Sequence, residues 1–161
     1  MKILLGIVAG MFMYAVLGCV SMRYGDMTNL NKMQLEKIAD ETVAYLSSYW
    51  LPAKSKIMLV QRPVREGNES GIFDQLLEDR LRKVGYQVMK HGSDRHEENI
   101  ESNGEVNGYV PLKYVIDNDE PTGLYRMAIY IGNDVIGGVF MQGSDGRMQQ
   151  SGMWTHRVGA S

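Results

Sequence analysis

Apolar residues recur at helical spacing soon after Leu30. Leu35, Ile38, Thr42, Val43, Leu46 and Trp50 fall on one stripe, and Asn31 with Gln34 three residues on makes a capping box, so a helix is predicted that ends before Pro52. Lys56 to Gln61, KIMLVQ, is a short apolar run between Lys-Ser and Arg-Pro and reads as a buried strand. After the turn-like REGNES, Ser70 can cap a second helix with the stripe Phe73, Leu76, Leu77, Leu81 and Val84, and Gly85 stands where a left-handed C-cap is wanted. Asp74 early and Arg80, Arg82 and Lys83 late match that helix's dipole. Tyr86 to Lys90 then reads as a strand.

The second half changes period. Residues 91–108, HGSDRHEENIESNGEVNG, show no periodicity and two Asn-Gly pairs, and read as a long, flexible, charged loop. YVPLKYVID, LYRMAIYI, VIGGVFMQ and RMQQSGMW are β-runs joined by NDEPTG, GND and GSDG, links rich in turn formers, which predicts an antiparallel meander. Gly137-Gly138 inside one run marks a bulge or a close backbone approach. The expected fold is α+β, with two helices packed on one face of a mostly antiparallel sheet that ends in a C-terminal β-meander.

The N-terminal pattern belongs to neither half. Met1-Lys2 is a short positive region, and Ile3 to Leu17 carries no charge, as in a secretory signal. Ile3 to Val20 is also just long enough to span a bilayer, although Gly6, Gly10 and Gly18 weaken such a helix. Val16-Leu17-Gly18-Cys19 resembles the bacterial lipobox. That resemblance implies a signal peptide over 1–18, cleavage between Gly18 and Cys19, and a diacylglycerol thioether on Cys19 with an acylated N-terminus. Two or more acyl chains hold a membrane stably where one does not. Val20, rather than Asp, follows the cysteine, which favours the outer membrane and its periplasmic face. Residues 19–29 then form a short tether, and 30–158 one periplasmic domain. The competing reading is an uncleaved anchor with an inert cysteine.

Composition narrows the chemistry. With 161 residues, a formal net charge of −2 and one cysteine, the chain gives no electrostatic reason to bind nucleic acid and can form no intramolecular disulfide or Cys-cluster metal site. His91 and His96, with Glu97 and Glu98, are the clustered candidates for a metal site, but a loop fixes no geometry and a solvated loop is the simpler reading. His156 stands apart. No G-x-S-x-G, H-E-x-x-H or phosphate-binding loop occurs. No catalytic residue, metal ligand or cofactor is therefore assigned, and an enzyme is not expected. Met127, Met141, Met148 and Met153 read as core filler or an adaptable binding face. Tyr109, Tyr114, Tyr125 and Tyr130 could pair across strands. Trp154 is expected in the core.

Along most of the chain a family pattern emerges. Ala39-Asp40-Glu41-Thr42-Val43 leads into Trp50-Leu51-Pro52-Ala53-Lys54, and Phe73, Leu76, Leu77, Leu81-Arg82 lead into Gly85-Tyr86-Gln87-Val88. Leu112 to Asp117, Leu124-Tyr125-Arg126 and Gly152-Met153-Trp154 follow. From Ala39 to Arg157 the chain resembles the TrbH family, lipoproteins of conjugal-transfer type IV secretion systems. The resemblance implies a structural or assembly component of the mating-pair channel. It would be held to the outer membrane by lipid on Cys19 and would assemble with other transfer proteins. Two other classes stay open: a lipoprotein that docks on and regulates a cell-wall synthase or secretin, and a periplasmic enzyme or ligand binder.

Overall fold

The computed structural model describes residues 29–60, 70–91, 107–119 and 121–159. Helix α1 runs over Lys32–Tyr49, and a 3₁₀ turn, Pro52–Lys54, leads into strand β1, Lys56–Val60. Helix α2, Ser70–Lys83, precedes β2, Gln87–His91. The rest is strand: β3, Val110–Asp119; β4, Leu124–Ile131; β5, Asp134–Gln142; β6, Met148–Gln150; and β7, Thr155–Arg157.

The capping box that begins α1 is formed. The Asn31 side chain accepts from the Gln34 backbone N–H at 3.0 Å, and the Gln34 side chain accepts from the Asn31 N–H at 2.9 Å. This satisfies two donors that a helix start otherwise leaves open. Leu35, Ile38, Thr42, Val43 and Leu46 are all buried, as their spacing requires. At the end of α2 the Tyr86 N–H bonds the Leu81 carbonyl and the Gly85 N–H bonds the Arg82 carbonyl. Gly85 there has φ +101°, the left-handed cap that its position suggests. The stripe of α2 stops one residue early: Val84 lies beyond the last helical turn and is exposed.

The strands form a sheet in the order β2-β1-β3-β4-β5-β6, and β7 also pairs with β5. β1 is parallel to both β2 and β3; every later pairing is antiparallel. The fold is thus α+β with a mostly antiparallel sheet. Ile57, Leu59, Leu112, Tyr114, Ile116, Met127, Ile129, Ile136 and Phe140 share one core with the stripes of both helices. Alternation along each strand puts these residues on a single face, so both helices cover the same side. Removing this apolar surface from water, at about 25 cal/mol per Å², holds the helices to the sheet.

Three expectations are corrected. His91 is not in a loop; it ends β2, paired with Val60 of β1. Residues 92–106, which include His96, lie outside the described residues. The run 147–154 is not one strand. β6 pairs with Phe140–Gln142 and β7 with Val135–Gly137, so the intervening Ser151–Trp154 face only Gly138 and Val139 of β5. Surplus residues on one strand make a bulge, and Gly152, at φ +82°, supplies the left-handed turn it needs. Finally, the tyrosines do not pair with one another. Tyr114 opposes Ile129, Tyr125 opposes Asn118 and Phe140, and Tyr130 opposes Lys113 and Val135.

Candidate functional site

The bulge brings Trp154 back over the core face of the sheet. Its ring stacks on Tyr45 of α1, with centroids 4.9 Å apart, and meets Phe140 edge-on at 5.8 Å. The strand beneath must be bare for this to happen. A Cβ built on Gly138 would lie 2.4 Å from the Trp154 ring, and one on Gly137 would lie 2.7 Å from the Thr155 hydroxyl. The glycine pair is therefore a seat for the next strand. Trp154 itself is only half-buried, packed against the edge of the core rather than inside it.

The aromatic row continues outward along α1. Tyr45 and Tyr49 have centroids 4.9 Å apart, and Tyr49 meets the His156 ring edge-on at 4.8 Å. Burial pushes the Tyr45 phenol up to about 12, with Tyr49 beside it adding to the shift. His156 Nε2 lies 3.1 Å from Asp134 Oδ2, and the other oxygen of Asp134 accepts the Gly159 N–H at 3.1 Å. Asp134 thus ties the last described residues to the start of β5. His156 belongs to this clasp, and among the described residues its ring meets only Asp134 and Tyr49.

Two further features were invisible to sequence spacing. Tyr114 of β3 donates its hydroxyl to Asp74 of α2 at 2.7 Å, where Asp74 is 4% exposed. Asp74 therefore joins α2 to the sheet rather than serving as a surface charge at a helix start. The Tyr86 hydroxyl donates to the Trp50 carbonyl, locking the end of α1 to the end of α2. Neither pair follows a helical or strand period, because each is set by packing between elements.

A shallow groove of about 400 Å³ opens between α1 and the β5–β6 hairpin, lined by Met33, Glu36, Lys37, Asp40, Arg147 and Met148. Its charged groups are already engaged: Lys37 with Glu41, Asp40 with Arg80, Glu36 with Lys32 and Arg147 with Asp145. The methionines divide. Met127 and Met148 are buried, while Met141 is 44% and Met153 89% exposed. Among the described residues no helix is long and apolar enough to cross a membrane, and no His, Cys, Asp and Glu cluster could hold a metal ion. Gly18 and Cys19 lie outside the described residues.

The family of conjugal transfer protein TrbH matches residues 21–158, the whole of the helix-and-sheet region described above. No curated protein and no solved structure matches the chain. The chain belongs to the TrbH family of conjugal transfer proteins.

Proposed function

We propose that this TrbH-family chain is an outer-membrane lipoprotein of a conjugative type IV secretion apparatus, with a structural and assembly role rather than a catalytic one. The observation that carries this reading is a junction. The family match begins at residue 21, and Val16-Leu17-Gly18-Cys19 stands immediately before it. Residues 1–18 are then a signal peptide cleaved after Gly18, and the lipid on Cys19 is the membrane contact. Val20 after the cysteine supports an outer-membrane destination on the periplasmic face. From Cys19 to the start of α1 the tether reaches at most about 3.5 Å per residue, which keeps the helix-and-sheet region close to the leaflet. Its partners are other proteins of the transfer channel, without direct contact to nucleic acid.

Radiolabelled palmitate tests the anchor. Wild-type protein is expected to carry the label and to fractionate with the outer membrane, whereas Cys19→Ser stays unlabelled and keeps its leader. Equal labelling of the two forms would remove the basis of the assignment.

A further inference from the structure

Among the described residues, one end of the molecule is short of negative charge. It is built from residues 49–56, 83–87, 107–111, 131–135 and 155–159, where both helices end and β1, β2 and β3 begin. The packing of Trp50 and Pro52 near Gly132 and Gly85 gathers these segments. Asp134 is the one acid they contain, and it is engaged by His156 and the Gly159 N–H. Lys54, Lys83 and Arg157 are exposed there and have no ion pair among the described residues. Elsewhere among the described residues cations are matched, as in Lys32–Glu36, Lys37–Glu41, Arg126–Asp117 and Arg147–Asp145. The same end exposes large apolar side chains: Val158 at 70%, Leu51 at 58% and Tyr49 at 55%. A chain with a net charge of −2 thus has, among its described residues, a positive, apolar pole.

We infer that this pole docks an acidic, apolar segment of another protein of the transfer apparatus; the inference rests on the function proposed above. Apolar side chains ringed by unpaired cations are complementary to apolar residues flanked by Asp and Glu, which supply the missing charge and steer the encounter. Position favours a protein over a membrane. The tether joins the opposite end of α1, and 18 helical residues at 1.5 Å each put about 27 Å between that point and the pole. A lipid on Cys19 therefore ties the far end of α1, not the pole, to the leaflet. Nucleic acid is disfavoured by the side chains themselves. Leu51 and Val158 offer no ring for base stacking, the Tyr49 ring is taken up by its edge-on contact with His156, and the cations sit on separate element ends rather than along a groove.

The test places p-benzoylphenylalanine at Leu51, and separately at Met33 on the opposite end, in the full chain within mating donor cells. After irradiation and digestion, the Leu51 probe is expected to be joined to a transfer-apparatus peptide containing apolar residues and Asp or Glu. The Met33 probe is expected to give no such adduct. Combining Lys54→Glu, Lys83→Glu and Arg157→Glu should cut that adduct and the mating frequency at least tenfold, with palmitate labelling and abundance unchanged. Lys83→Glu alone, on an exposed side chain, should still cut the adduct several-fold should the triple variant fail to accumulate. An adduct to phospholipid or DNA, no protein adduct, or an adduct indifferent to charge reversal would overturn the inference. A strain lacking the gene that mates normally would instead refute the proposed function, and the two failures are therefore distinct.

Discussion

Gly138 and Trp154 are two halves of one contact, and the energetics of each depend on the other. The indole packs on Tyr45 and Phe140 at the core's edge, so Trp154→Ala should cost about 2–4 kcal/mol, somewhat below the loss for a fully buried Trp. Gly138→Ala drives a Cβ into the same ring and should cost about 1–3 kcal/mol by overpacking. Because the clash needs the indole, adding Gly138→Ala to Trp154→Ala should cost almost nothing more. Denaturant midpoints of the four forms check this; additive losses would mean the glycine serves something else. At this scale the sequence was partly legible. Two adjacent glycines in a strand announce a close approach, but nothing in the spacing says that the approaching group is Trp154, since the bulge that delivers it interrupts the period. Tyr114→Phe belongs here too: losing its bond to the buried Asp74 carboxyl should cost about 1–3 kcal/mol, read as a lowered midpoint. An unchanged midpoint would show that the bond contributes nothing net.

Elements were easier to read where one principle governs them. The caps of α1 and the end of α2 are local chemistry, and Asn31, Gln34 and Gly85 act as their spacing implies. Pairing direction is not local. β2 and β3 both run parallel to β1, which lies between them, so the segment joining them is a crossover rather than a hairpin loop. Such a connection needs about a dozen residues. Replacing 92–107 with a twelve-residue Gly-Ser link should preserve the native circular-dichroism spectrum, whereas a three-residue link should abolish it. A folded three-residue variant would contradict the parallel pairing. Between α2 and β2, Glu78 contacts both Lys90 and Arg82. Burial alone would raise its pKa, but the two cations outweigh burial and hold it below the usual carboxylate value. A depressed folded pKa gives stability that is full above the unfolded value of about 4.3 and lost as pH falls through the folded one. Glu78→Gln should therefore cost about 1 kcal/mol or less at neutral pH and nothing near pH 2. A deficit that persisted in acid would point to packing instead.

For the whole molecule, family membership supplies what packing cannot. The core accounts for why the chain folds, and among the described residues its surface is asymmetric, with paired charges where α1 begins and a positive, apolar end where it finishes. No single residue or motif carries that asymmetry, which is why it could not be read from a chain whose overall charge is slightly negative. We propose that the chain works in conjugation through the lipid on Cys19. DNA-transfer frequency from a donor lacking the gene tests it directly. Transfer should be lost in that donor, restored by the wild-type chain, and not restored by Cys19→Ser expressed to the same level. Full restoration by Cys19→Ser would contradict the account.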